Sequence, residues 1–298
     1  CRSLPPPGRR PACTHCKSRK RATRGPGRRC RLVGGMLARR RVGPPACCRY
    51  LLRQHRRCSA HHLLSQRARV LAAGGGAAAR VWEEVNALAS EPGMLNMGQG
   101  FPDFPGSALA REVASDAVAK GEARQNQYSP QPGLLQLREA IAAFHARRYA
   151  TDWAATDVIV TAGAQEGLAA AFSAFLDPGD EVILCEPFYP FMLGAVRLAG
   201  AVPRVVTLRP PDFSIDAGVL RTIEALAASE RCKMIVLNTP HNPTGHVATE
   251  AELHGVASIC VSHELLAVAD EVYEHCVFPA SGAAHRQLCS LPGMRERT

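Results

Sequence analysis

From about residue 106 the apolar positions of the chain keep two alternating rhythms. Stretches with apolar residues every three or four positions predict helices, and short continuous apolar runs between them predict buried strands. "ALAREVASDAVAKG" predicts a helix stopped at Gly121, and "GLLQLREAIAAFHARRYA" a second, apolar at 134, 135, 137, 141 and 144. "VIVTAG" (158–163) predicts a strand, followed by the helix "AQEGLAAAFSAFL" and the turn "DPGD". The pattern continues with "EVILCEP" (strand), "PFMLGAVRLAG" (helix), "AVPRVVTL" (strand) and "AGVLRTIEALAAS" (helix). "KMIVLNTP" (strand), "EAELHGVASICVSH" (helix) and "LLAVADEVY" (strand) complete it.

Strands separated by helices imply a mainly parallel sheet with right-handed crossovers. In open sheets of this kind, ligands bind beyond the carboxyl ends of the strands. The unusual residues gather at those ends: Gly163–Gln165, Glu186–Tyr189, Asn238–Gly245 and Asp270–Tyr273.

Charge divides the chain. Residues 1–80 hold 21 Lys and Arg and no Asp or Glu, the first acid being Glu83. The remaining 218 residues carry 15 basic and 26 acidic side chains, a balance of −11, so the net +10 belongs to the arm. The arm is rich in Arg, Gly, Pro and Ala and poor in aromatic and β-branched residues, a composition that cannot bury enough to fold alone and predicts disorder. From Met36 it is Arg-rich and acid-free like an organelle transit sequence, with Arg49, Arg53, Arg56 and Arg57 on one helical face. A mitochondrial address is the expectation carried forward, with cytoplasmic or plastid location as alternatives. "KSRKR" (17–21) leaves a nuclear or RNA-binding reading open, but no aromatic residues interleave for base stacking, and the acidic body argues against nucleic acid. A stretch with no role is the third reading. "GGGAAA" (74–79) marks the junction.

Composition excludes other classes. No apolar run approaches membrane-spanning length, so no membrane helix is expected. Seven of the 12 cysteines lie in the arm, where Cys13, His15 and Cys16 lack a second ligand pair at zinc spacing, so no metal is expected. The five cysteines of the body are isolated, which suits a reducing compartment.

Each strand-end cluster offers one piece of chemistry. In "TAGAQEGL" the amides of Ala164 and Gln165, at a helix start, are free to hold a phosphate. "EPFYP" presents the ring of Tyr189 just past a strand, as a ligand platform or as ordinary packing. "NTPHNPTG" sets Asn242 between two X-Pro bonds, as a positioned donor or as a plain turn. Asp270, at the end of an apolar run, suits a protonated ring nitrogen, or is a buried strand-end acid, and Tyr273 could donate to a phenolate oxygen beside that ring.

Taken in order, these motifs describe a cradle for a phosphorylated pyridine. From Trp82 to the last residue the chain resembles the fold-type I pyridoxal-phosphate aminotransferases of class I/II. "LNMGQGFPDFPG" and "NTPHNPTG" are most similar to the kynurenine/glutamine aminotransferase branch. The resemblance implies a three-layer αβα sandwich with a mainly parallel sheet, incomplete at the C-terminus. It implies an arm over 1–80, a segment over 81–127 contributing to a small domain and the active-site entrance, and a cofactor-binding large domain over 128–298. The cofactor implied is pyridoxal 5′-phosphate, with Asp270 on the ring nitrogen, Asn242 and Tyr273 on its phenolic oxygen, and Tyr189 stacked on the ring where relatives usually carry Phe. Ala164 and Gln165 give amides to the phosphate. Tyr128 reaches a neighbouring subunit's phosphate, which implies a homodimer. Gly100 meets the substrate carboxylate through its backbone, and Trp82 forms a pocket wall. The substrates implied are an amino acid of kynurenine, glutamine, methionine or aromatic type and a 2-oxo acid.

One element of the family pattern is missing. The Schiff-base lysine belongs after the strand that follows "DEVY", yet none of the 28 residues after Asp270 is lysine. The four lysines are Lys17, Lys20, Lys120 and Lys233, none at a suitable strand end. The expectation is a sequence that stops mid-fold, with the lysine beyond Thr298, and a chain that as written does not turn over. Rival readings are cysteine S-conjugate β-elimination on the same cofactor and a non-catalytic, dimerising module.

Overall fold

The computed structural model describes residues 65, 66, 68, 69, 83–97, 100, 102 and 104–298. The arm expected over 1–80 therefore lies, apart from four residues, outside the described residues, as do Trp82 and the Cys13–Cys16 cluster.

The alternating pattern becomes helix α1 (Ala108–Lys120), α2 (Leu135–Tyr149), α3 (Ala164–Phe175), strand β1 (Glu181–Glu186), α4 (Pro190–Ala199) and β2 (Val202–Thr207). It continues with α5 (Ala217–Ala227), β3 (Cys232–Asn238), α6 (Glu250–Ser262) and β4 (Leu266–Asp270). A further short helix spans 83–89. The four strands pair in parallel in the order β2-β1-β3-β4. The order steps outward from β1 in one direction and from β3 in the other, which opens a crevice at the carboxyl edge between β1 and β3.

Local chemistry sets the helix ends. Asp216 caps α5 by accepting from the Val219 amide. Thr249 and Glu252 form a reciprocal capping box at the start of α6. Pro190 opens α4, and Gly200 closes it in the left-handed region, φ 89°, where a side chain would be strained.

Strand periodicity places the core on both faces of the sheet. Val182, Leu184, Met234 and Val236 pack with Leu168 and Phe172 of α3 and Met192 and Val196 of α4. Ile183, Ile235 and Leu237 pack on the other face with Ile223 of α5 and Leu253 and Val256 of α6. The result is the expected three-layer αβα sandwich. Full burial of each large apolar side chain contributes about 1.5–3 kcal/mol.

Two strand expectations need correction. Residues 158–160 form no ladder; the Val158 amide donates to the Ala155 carbonyl at 3.4 Å and the Val160 amide to the Pro132 carbonyl at 3.0 Å. A strand exists only against a neighbour, and no described strand lies alongside; the outer edge of β4 instead meets the Arg297 carbonyl at the Ala267 amide. The last strand also ends at Asp270 rather than Tyr273, because the chain turns sharply through 271–275. Among the described residues no helix is long and apolar enough to cross a membrane, and no His, Cys, Asp and Glu group is arranged to hold a metal ion.

Candidate active site

The four strand-end clusters converge. Ala164, Gln165, Tyr189, Asn242, Asp270 and Tyr273 all line one cavity of about 520 Å³ at the carboxyl edge of the sheet. A larger cleft of about 1180 Å³ adjoins it, and Tyr189, Asn242 and Tyr273 line both. Gly100 lines the cleft but not the cavity. Tyr128 is fully exposed and lines neither.

Gly163 stands in extended backbone at the start of α3, and its carbonyl takes the amides of Glu166 and Gly167. Ala164 and Gln165 line the cavity, and their amides have no acceptor among the described residues, as the first turn of any helix leaves them. The Gln165 side chain donates to Tyr189 Oη at 2.8 Å and holds that ring at the cavity wall.

Asp270 is half-buried at the end of β4. Burial pushes its carboxyl above the ordinary range, the neighbouring charge of Glu271 adds to this, and a long hydrogen bond of 3.4 Å from the Val272 amide only partly offsets both. None of the ion pairs among the described residues involves it. A carboxylate drawn out of water without a cation is costly, so the site favours a cationic guest.

Asn242 Nδ2 donates to Tyr273 Oη at 3.3 Å, so two groups able to donate to a single oxygen stand together beside Asp270. Both proline bonds flanking this loop, Thr239–Pro240 and Asn242–Pro243, are cis. The turn that carries Tyr273 is tied to α2, where Tyr149 Oη donates to Glu274 Oε2 at 2.6 Å, and to the chain beyond, where the Leu288 amide donates to Glu271 Oε1 at 3.2 Å. Free amides for a phosphate, a cation-seeking acid, a pair of phenolate donors and a flat aromatic wall fit pyridoxal phosphate.

A family model for the class I and II aminotransferases matches residues 92–296. The chain belongs to this family. It is 43% identical over 221 residues to a probable N-succinyldiaminopimelate aminotransferase of Mycobacterium tuberculosis, covering 73% of this chain and 53% of that protein. It is 38% identical over 218 residues to a methionine aminotransferase of Escherichia coli, covering 73% and 54%, and 38% identical over 225 residues to a human kynurenine–oxoglutarate transaminase, covering 73% and 53%. The solved M. tuberculosis N-succinyldiaminopimelate aminotransferase superimposes with a TM-score of 0.67, covering 73% of this chain and 55% of that one. The chain thus spans about half the length of the curated relatives it matches. Enzymes of this family depend on pyridoxal phosphate, use amino acid and oxo acid substrates and commonly form homodimers.

Sequence reasoning missed the residues that hold the site together. Asn238 was legible only as the first letter of "NTPHNPTG", yet it bonds both Asp270 and Asn242. Glu252 stood in the sequence only as part of the helical run "EAELHGVASICVSH"; it caps α6, receives the Ile215 amide and contacts His246 Nε2 at 3.0 Å, anchoring the exit of the Asn242 loop. Burial alone would raise its carboxyl, but hydrogen bonds from Thr249 and Ile215 and the nearby His246 hold it below the ordinary range.

Of the two lysines among the described residues, Lys120 ends α1 in an exposed pair with Asp116. Lys233 sits near the start of β3, five residues before Asn238, which is about 16 Å at about 3.3 Å per residue.

Proposed function

We propose that this chain carries the cofactor-holding half of an aminotransferase that moves an amino group from an amino acid to a 2-oxo acid. The observation that carries the reading is the unpaired Asp270 facing the same cavity as the Asn242–Tyr273 pair and the open amides of α3. In this reading Ala164 and Gln165 hold the phosphate, Tyr189 covers one ring face, and Asn242 and Tyr273 donate to the phenolic oxygen. Asp270 keeps the ring nitrogen protonated. When bound, the cofactor supplies an electron sink for the carbon that loses its proton. Gly100, in the adjoining cleft, receives the substrate carboxylate through its backbone. Tyr128, fully exposed here, serves the phosphate of a second subunit. Relatives named for succinyldiaminopimelate, methionine and kynurenine support the amino acid class, and a methionine, glutamine, kynurenine or aromatic donor is our reading of the "NMGQGFPDFPG" and "NTPHNPTG" motifs.

Neither Lys120 nor Lys233 is placed to capture the cofactor, so a polypeptide of these 298 residues holds it reversibly and has no transaminase activity of its own. Equilibrium dialysis with pyridoxal phosphate tests the reading. Saturable binding that is displaced by pyridoxamine phosphate and weakened about tenfold or more in Asp270→Asn supports it. Failure of the wild-type chain to bind refutes it.

A further inference from the structure

We infer that Asn238 is a positioning residue that locks the acid of the ring nitrogen and the donor of the phenolic oxygen into one geometry; this rests on the function proposed above. Asn238 is the last residue of β3 and is 9% exposed. It stands in register with Asp270 across the β3–β4 ladder. Its Nδ2 donates to the Asp270 backbone carbonyl at 2.8 Å, and its Oδ1 accepts the Asn242 amide at 2.7 Å. Because one partner is a backbone acceptor and the other a backbone donor, the carboxamide has a single satisfactory orientation.

The loop that carries Asn242 is also tied at His241, whose amide donates to the His246 carbonyl and whose carbonyl takes the Gly245 amide, but the Asn242 amide itself bonds Asn238. The loop from Asn238 reaches Asn242 through Thr239, Pro240 and His241 and leaves through Pro243, and prolines offer no N–H to a ladder. The Asn242 side chain meets Tyr273 at 3.3 Å, a long bond that does not hold it alone. The Asp270 carbonyl takes a second bond from the Thr239 amide at 3.1 Å, so the junction of β3, β4 and the loop meets at one carbonyl and one carboxamide. Asn238 lines the cavity beside Asp270 and Asn242, but both ends of its carboxamide are taken up by their backbone groups, so it acts through Asp270 and Asn242. Groups that must bracket one ring need sub-ångström placement, which a buried carboxamide with both ends satisfied supplies.

Asn238→Asp separates the two bonds. The carboxylate still accepts the Asn242 amide but sets an oxygen against the Asp270 carbonyl and a charge beside the Asp270 side chain. Asn238→Ala removes both bonds. The experiment measures pyridoxal phosphate affinity by equilibrium dialysis and the pH midpoint of the bound cofactor's visible absorbance. The expected result is a loss of about tenfold or more in affinity for either variant, together with a shifted midpoint, which a packing defect alone would not move. Wild-type affinity with an unchanged midpoint in a folded variant overturns the inference while leaving the function intact. A wild-type chain that binds no cofactor overturns both. If neither variant folds, amide exchange in the wild-type protein decides: a protected Asn242 amide sustains the inference, and exchange as fast as an open amide overturns it.

Discussion

Replacing Asp270 with Asn separates the cost of this residue from its use. The unliganded protein holds a half-buried carboxyl with no cation; burial and the nearby charge of Glu271 raise its pKa, and the long bond from the Val272 amide only partly offsets them. A carboxyl raised in the folded state is neutral in both states below the ordinary carboxylate range and carries no penalty there. The penalty grows as pH rises through the raised pKa and is complete above it. An amide of the same shape escapes it. Asp270→Asn is therefore expected to melt higher than wild type at pH 7 without ligand, with the gain fading as pH falls toward the ordinary carboxylate range. With cofactor the order reverses. The charge-assisted bond to the ring nitrogen is worth about 1.5–3 kcal/mol, so the variant should bind pyridoxal phosphate about 10- to 150-fold more weakly. Thermal melts across pH and dialysis measure both effects. A variant that binds like wild type, or melts lower at pH 7, would refute the reasoning.

Glu252→Ala should destabilise the chain by about 1–3 kcal/mol or more in a denaturant titration, because it removes a buried, multiply bonded carboxylate and strands the Ile215 amide. The stability that Glu252 provides is present above the ordinary carboxylate range and lost as pH falls through its depressed pKa, so the wild-type and variant curves should converge in acid. Phe172→Ala, at a fully buried position between α3 and the sheet, should cost about 3–5 kcal/mol, and a smaller loss than about 1 kcal/mol would contradict the packing described. We also propose that residues 36–80 fused to a fluorescent reporter direct it to mitochondria; a diffuse cytosolic or a nuclear signal would count against that address, and plastid import would change the organelle.

The fold was legible where a segment's periodicity matched its surroundings. The runs around Ile183 and Ile235 are apolar on both faces because helices cover both faces, and they read correctly as buried parallel strands. Residues 158–160 have the same composition, but a ladder depends on a partner distant in sequence, and composition does not report one. The site residues that touch a ligand were legible because they interrupt apolar runs with groups the core cannot use: Asp270 in "VADEVY" and Asn242 in "NTPHNPTG". The groups behind them were not. Asn238 and Glu252 look like an ordinary strand end and an ordinary helical residue, and their partners at Asp270 and Ile215 lie 32 and 37 residues away, at distances only folding closes.

The central claim is that this cavity is a pyridoxal phosphate site made from Ala164, Gln165, Tyr189, Asn242, Asp270 and Tyr273, with no lysine among its described lining residues. It is tested most directly by saturating the 298-residue chain with pyridoxal phosphate, reducing with borohydride and mapping the product by mass spectrometry. Saturable binding, with the cofactor released on denaturation and no adduct on Lys120 or Lys233, is the predicted result. A stoichiometric adduct on either lysine, or no binding at all, would contradict it.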